Sequence, residues 1–515
     1  MEPAVLLQSL RKNRSAREAS KQGMHNQTGT ISAREIGRAA WQFIVLLVGT
    51  AAIAQAAPDD WSRFRGPNGS GVAETKRLPS EIGPEKNVEW KTPLPAGHSS
   101  PILSGNRIFL TAADGERLVT IGLDRKTGKI LWQREAPRQR SEKLHPRNNP
   151  ASPSPAVEGE RVFVFFPDFG LLAYDFAGQE LWRLPLGPFN NIYGMGASPI
   201  VVGDRVILVC DQSTNSFILA VGATDGRVQW KVDRAEAKSG HSTPIVYRPA
   251  GGGTQLLVPG SFLLTAYDVA SGKKLWWVSG LSFEMKSTPV MDGDTIYVNG
   301  YGSPENDPGS QVQVPAFETV LGRYDADKDQ RLAGSEVASD ERLKSFFPFI
   351  DLEGDGVLDA GDWTYYGAAM ATTNGMLAFR LGGSGDMSQS NLRWQYHRAV
   401  PQLPSPLLYK GVLYMVNDGG IVTTFRPQSG EVIAQGRLQG AVDNFYASPV
   451  AGDGKIYFVS LSGKVAVLKP GGSLDVIALG DLDDLCYATP AIADGHIYIR
   501  TRGALYSFSE SGAAK

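Results

Sequence analysis

Eight Ser-Pro or Thr-Pro pairs, at Pro101, Pro155, Pro199, Pro244, Pro289, Pro406, Pro449 and Pro490, each open a short alternating strand. Most copies close about thirty residues later in a Gly-containing turn and a Trp, as at Trp132, Trp182, Trp230 and Trp276. Self-similarity at such a period means that each unit buries its apolar face only against its neighbours, in an array or a ring. The prolines are spaced 54, 44, 45, 45, 117, 43 and 41 residues apart. The fifth interval is longer than an ordinary repeat by about 72 residues, so a separate segment is inserted there.

The first copy, HSSPILSGNRIFLTAADGERLVTIGLDRKTGKILW, runs from His98 to Trp132. Its period-2 alternation gives three strands, a Thr127-Gly128-Lys129 turn and a fourth strand, which together make one antiparallel blade. Copies six and seven keep the Pro but lose the Trp, so aliphatic residues must pack those blades. Copy eight stops after three strands, whereas NVEWKTPL (Asn87 to Leu94) stands before copy one as a lone fourth strand. Joining the two removes the free sheet edges of a linear array. The expected fold is therefore all-β, an eight-bladed propeller of four-stranded antiparallel blades with a small α-helical insertion. The terminal Trp residues are read as inter-blade packing and Asp124, Asp175 and Asp268 as turn caps.

The chain carries 51 basic and 53 acidic residues, a net charge of −2, which offers no electrostatic reason for nucleic acid or an anionic membrane surface as partner. Arg34 and Arg38 precede an apolar run from Trp41 to Ile53, and Ala54-Gln55-Ala56 follows as a small-residue cleavage site. That layout predicts a polar lead and signal peptide over 1–56, a propeller over 57–515, and a periplasmic or secreted bacterial product without stable membrane insertion after cleavage. Met24 offers an alternative start. Two cysteines, Cys210 and Cys486, on repeats three and eight, do not make a disulfide scaffold.

The inserted segment, placed at 315–366 in blade five, holds two acidic loops between apolar stretches of helical spacing. In DADKDQRLAGSE, Asp325, Asp327 and Asp329 stand at positions 1, 3 and 5, the Arg331 carbonyl at 7 and Glu336 at 12. In DLEGDGVLDAGD, the corresponding groups are Asp351, Glu353, Asp355, the Val357 carbonyl and Asp362. The segment resembles a pair of EF-hands, which implies calcium as ligand. Loop one departs from the pattern in having Gln330 where a sharp turn wants Gly, and loop two in the short Asp362 at its last position. Leu332 and Leu358, both at position 8, are set to pair the loops.

In a propeller the strand opened by each Pro is innermost, so the residue three positions earlier lines one mouth of the channel. Around the ring these are His98, Ser152, Gly196, His241, Lys286, Leu403, Tyr446 and Tyr487. His98, His241, Lys286, Tyr446 and Tyr487 are the cofactor- or ligand-binding candidates, with Lys286 as an anion contact.

GLDRKTGKILW and AYDVASGKKLWW resemble the repeats of the pyrroloquinoline-quinone (PQQ) propeller superfamily, over roughly Trp61 to Glu510. WSRFRGPNGSGV, from Trp61 to Val72, is similar to the segment that opens many exported proteins of this type. The superfamily includes quinoprotein alcohol dehydrogenases as well as non-enzymatic members of the outer-membrane barrel-assembly machinery. The enzymes' adjacent-cysteine pair and a CxxCH haem attachment sequence are missing here. The expectation is a non-catalytic, calcium-stabilised binding or scaffold module acting on an envelope protein or a small molecule. A divergent PQQ-dependent alcohol or sugar dehydrogenase is the first alternative, and an envelope assembly factor the second.

Overall fold

A computed structural model describes residues 60–510. The lead and signal segment over 1–56 lies outside them. Eight four-stranded antiparallel blades follow one another, the fourth with a short parallel strand added at its edge, and blades one to seven take their four strands in sequence order from the channel outwards. Blade one is Ile102–Ser104, Arg107–Asp114, Arg117–Asp124 and Ile130–Glu135. Blade eight is Ala491–Ala493, His496–Arg500 and Ala504–Phe508, completed by Val88–Pro93, whose Lys91 pairs with Tyr506. The ring is therefore closed by its N-terminal strand. Among the described residues no helix is long and apolar enough to cross a membrane.

The Ser-Pro signature has a structural cause. The hydroxyl residue before each Pro receives the backbone N–H of its counterpart in the preceding blade. Ser100 N–H donates to Ser154 Oγ (2.9 Å), Ser154 to Ser198 (2.9 Å) and Ser198 to Thr243 Oγ1 (3.1 Å). On the other side Thr288 donates to Ser405 (2.9 Å), Ser405 to Ser448 (3.0 Å), Ser448 to Thr489 (3.0 Å) and Thr489 back to Ser100 (3.0 Å). All of these groups are buried, where an unpaired N–H is costly, so a hydroxyl is required at each step. The step from Thr243 to Thr288 does not follow the pattern, and Thr288 Oγ1 is buried without a partner.

Outer Trp residues lock five of the blades to the next. Trp132 donates its indole N–H to Phe176 O (2.9 Å) and lies flat on Gly178, where a Cβ would stand 2.6 Å from the ring. The same contact joins Trp90 to Gly128, Trp182 to Gly226, Trp230 to Gly272 and Trp394 to Gly430, each Gly with positive φ. In blade six Ile433 takes the place of the ring, against Gly472. Trp276 differs: its N–H goes to Gln255 Oε1 (3.0 Å), and its strand is flanked by Gly385–Asp386 in parallel. Asp124, Asp175 and Asp268 accept backbone N–H groups of the turns that follow them. Cys210 and Cys486 are buried and unpaired.

One end of the channel is filled by the segment from Trp61 to Val72. Trp61 bridges to Leu103, Asn68 exchanges two hydrogen bonds with Val246, and Gly71 O accepts from Ala451 N. Leu103, Val246 and Ala451 each lie two residues past a repeat Pro, which sets this plug at the end opposite the mouth formed by the candidate residues. Arg63 donates to Pro244 O, and Arg65 to Pro406 O (2.7 Å) and Pro449 O (3.3 Å). Neither pairs with a carboxylate among the described residues, and burial pulls both guanidinium groups down to about 9.

Candidate functional site

The side chains set three positions before the repeat prolines are largely engaged with one another or with near neighbours. His98 of blade one stacks on Tyr487 of blade eight, with ring centroids 3.9 Å apart, and Tyr487 lies 5.8 Å from Tyr446 of blade seven. Burial, with the Arg500 guanidinium as a smaller cause, lowers the His98 imidazole to about 4. His241 sits edge-on to Tyr193 at 6.1 Å, and its Nε2 is sealed without a partner. Burial and the nearby Lys286 ammonium hold that ring neutral, at about 3. Both histidines are therefore uncharged at neutral pH.

Lys286 is not a free anion contact. Its ammonium is tied to the Glu284 carboxylate, with side chains 7% and 1% exposed. An ammonium already neutralised by a buried carboxylate has little charge left for a ligand. The same ammonium stands 5.6 Å from the Tyr193 ring centroid. Asp418, from blade six, is raised by burial despite Lys286 and Arg147 nearby. Gly196 lies against His241, where a Cβ would stand 3.2 Å from Nδ1.

Two further parts of the chain roof this mouth. The first is the connector between blades one and two, residues 136–155, which accounts for the long first interval of 54 residues. Arg138 anchors it to Asp168 (2.9 Å) and Arg140 to Pro167 O (2.6 Å) and Leu186 O. Asn148 Nδ2 donates to Tyr193 O (2.7 Å), and Arg147 Nη1 reaches Tyr446 OH at 2.9 Å. A residue of the blade one–two connector is thus fastened to blade seven, across the opening.

The second is the insertion, which leaves blade five between its second strand, Thr295–Gly300, and its third, Gly375–Arg380. It holds helices α1 (Phe317–Tyr324), α2 (Glu341–Ile350) and α3 (Ala360–Met370). Asp340 and Asp359 cap α2 and α3 through their carboxylates. Pro348 lies inside the last turns of α2 without ending it. Phe349 of α2 packs on Phe283 of the mouth at 5.1 Å, Tyr365 of α3 on Phe262 at 5.9 Å, and Leu352 O accepts from Asn190 Nδ2 (2.7 Å). A cleft of about 260 Å³ remains between α2 and the mouth, lined by Tyr193, Phe283, Ser303, Ser345, Phe346 and Phe349.

Each helix pair of the insertion encloses one acidic loop, and Leu332 and Leu358 are directly paired between them. In loop one, carboxylate oxygens of Asp325, Asp327 and Glu336 come within 4.8 Å of one another. Asp325 accepts from Lys328 N (2.7 Å) and Gln330 N (3.0 Å), and Asp329 from Arg331 N (2.8 Å). Gln330 adopts φ 66°, the left-handed backbone expected of Gly, so this turn is strained. In loop two, Gly356 takes the equivalent φ of 87°, and Asp351 accepts from Gly354, Asp355 and Gly356. Asp355 is drawn to Arg331 of loop one (3.0 Å), and Asp362 binds Leu352 N and Asp359 N (both 3.0 Å). Glu353 and Val357 lie in the same loop, but the loop-two acids do not converge as those of loop one do.

Sequence reasoning missed Tyr193, Glu284, Asp418 and Arg147. Glu284 stood two residues from Lys286, and Arg147 lay in the ten extra residues of the first interval; both signals were present. Tyr193 and Asp418 carried none.

A family model described as "Outer membrane protein assembly factor BamB" matches residues 82–216 and 214–513. The outer membrane protein assembly factor BamB of Moranella endobia (strain PCIT) is 24% identical over 376 residues, 71% of this chain and 83% of that protein. The crystal structure of BamB from Moraxella catarrhalis aligns with a TM-score of 0.51 at 13% identity, over 82% of this chain and all of that one. A europium-containing methanol dehydrogenase aligns with a TM-score of 0.56 at 10% identity, over 88% and 98% of the two chains. At such identities the structural likeness, to a BamB and to a dehydrogenase alike, reports the fold. The family match spans nearly the whole propeller, and the chain belongs to the BamB family of PQQ-like propellers.

Proposed function

We propose that the protein is a non-catalytic scaffold of the bacterial envelope, periplasmic or secreted, that engages a partner protein through its roofed mouth. The observation that carries this reading is the use of mouth side chains for internal contacts. Tyr487 occupies the face of His98 at 3.9 Å, which leaves no space for a planar ring between them. Lys286 is spent on Glu284, and the connector lies across the opening. Family membership supports an assembly role over the alternative of a PQQ-dependent dehydrogenase.

Calcium enters this reading as a structural ion of an EF-hand-like insertion. The carboxylates of Asp325, Asp327, Asp329 and Glu336 with the Arg331 carbonyl would hold it in loop one, and the convergence of three carboxylates there fits a hard cation. Asp351, Glu353, Asp355, Asp362 and the Val357 carbonyl would form a weaker second site, since Arg331 competes for Asp355. Bound metal would tie down the loops that frame α2, and so keep Phe346 and Phe349 over the mouth.

The partner reading is tested by replacing His145 with a photo-crosslinking phenylalanine analogue and irradiating envelopes. Capture of one discrete envelope protein, absent when the analogue replaces exposed Val228 on the outer rim, supports it. Equal labelling from both positions contradicts it.

A further inference from the structure

The cleft between α2 and the mouth combines two features. Its walls are aromatic: Tyr193 and Phe283 on the propeller side, Phe346 and Phe349 on the insertion side. Phe346 and Phe349 are half-buried although they sit on a short helix, and Ser303 and Ser345 place hydroxyls at the rim. A space of about 260 Å³ suits one large side chain rather than a cofactor.

The second feature is charge. The connector packs directly against Tyr193: the His145 and Tyr193 rings are 5.7 Å apart, and Asn148 binds the Tyr193 carbonyl. Along 137–149 it carries Arg138, Arg140, Lys143 and Arg147 against a single acid, Glu142. Arg138 is matched by Glu116 and Asp168, and Arg140 by Glu142. Lys143 and Arg147 are exposed and pair with no carboxylate among the described residues; the hydrogen bond of Arg147 goes to a neutral phenol. Two exposed cations thus lie on the connector that packs against Tyr193, one wall of the aromatic cleft. An acidic segment would be attracted to the border, and an aromatic residue within it would fill the cleft.

Building on the scaffold reading, we infer that this cleft is the peptide subsite of the mouth, and that its occupant is an acidic segment of a partner protein anchored by one aromatic side chain. The insertion supplies half of the aromatic wall, so the specificity belongs to this chain rather than to a bare propeller. The two walls come from the propeller and from the insertion, with Phe283 and Phe346 63 residues apart in sequence, and both must be in place.

The probe is a fluorescein-labelled Gly-Asp-Asp-Phe-Asp-Asp-Gly peptide, titrated by anisotropy with the full-length protein in calcium-containing buffer. Saturable one-to-one binding is expected, weakened about tenfold or more when the peptide Phe becomes Ala, and likewise when its Asp residues become Asn. Lys143→Glu with Arg147→Glu, both at exposed positions, should weaken it by about tenfold and flatten its salt dependence. Phe346→Ala should weaken it without changing that dependence. Absence of saturable binding, equal binding of the Ala peptide, or unchanged affinity in both variants overturns the inference. Photo-crosslinking from position 145 separates the two readings: capture of an envelope partner with no peptide binding removes the cleft and leaves the scaffold, whereas failure of both removes the scaffold as well.

Discussion

Arg147 Nη1 donates to Tyr446 OH at 2.9 Å across the channel mouth, joining two residues 299 positions apart in sequence. The bond is exposed and carries little stability by itself. Its consequence is local: it fastens the middle of a long connector. Arg147→Ala should lower the melting temperature by no more than a degree or two, yet speed amide hydrogen exchange across 141–149 severalfold. Equal protection in the variant would mean that Arg138, Arg140 and Asn148 hold the connector unaided.

The docking of Trp132 on Gly178 gives a larger effect. Trp132→Ala opens a cavity between two blades and leaves Phe176 O without its indole donor, so a loss of about 3–5 kcal/mol is expected in denaturant unfolding. Gly178→Ala should be nearly as damaging, because φ is 82° there and the new Cβ would meet the indole ring at 2.6 Å. A cost below about 1 kcal/mol for both would contradict the inter-blade role of this pair.

Acid should destabilise the mouth. His98 and His241 are held neutral in the folded protein, at about 4 and about 3, against about 6.5 in an unfolded chain. Below 6.5 the unfolded state binds more protons, so their contribution is full above pH 6.5 and falls as pH drops toward 4. The cause is burial, with the Arg500 guanidinium adding to it for His98 and the Lys286 ammonium for His241; Tyr487 faces the first ring, and Tyr193 the second, with Glu284 paired to Lys286. His98 alone should account for a decline on the order of 2 kcal/mol over that window. The slope of stability against pH should be shallower in His98→Gln, and an unchanged slope would place the titrating group elsewhere.

Calcium should raise the melting temperature of metal-stripped protein, and calorimetry should record binding that Asp325→Ala with Asp351→Ala abolishes. Asp325→Ala is expected to remove the tighter site and Asp351→Ala the weaker one. Unchanged calcium binding in the double variant would remove metal from the account of the insertion.

The plug at the opposite end provides an independent test of the fold. Arg65→Met strips four inner-strand and turn carbonyls of a donor, Pro406 O, Pro449 O, Gly69 O and Ser70 O, around a fully buried side chain. A loss of about 2–4 kcal/mol is expected, since each abandoned acceptor retains its desolvation cost. A neutral outcome would show that removing a buried cation offsets those losses.

Much of the ring could be read from the chain because its causes repeat. One hydroxyl per blade before Pro, one Gly per turn and a Trp on six of the eight outer strands impose a period that a single sequence displays. The completion of blade eight by Val88–Pro93 followed from counting strands. The parts that occur once were less legible. Trp61 to Val72 is recognisable as a motif, but its role depends on Arg65 meeting Pro449, 384 residues away, and no local pattern encodes that contact. The length of the first interval was visible; that its surplus crosses the mouth was not. Lys286 looked like a free cation because position was read without its neighbour Glu284, whose side chain is turned to the same interior.

The central claim, that this mouth serves a scaffold rather than a quinone enzyme, is tested most directly by titrating metal-stripped protein with PQQ in the presence of calcium, with absorbance, calorimetry and dye reduction as readouts. The account predicts no saturable quinone binding and no dye reduction with alcohols or sugars. Saturable binding of about one quinone per chain, with substrate-dependent dye reduction, would contradict it.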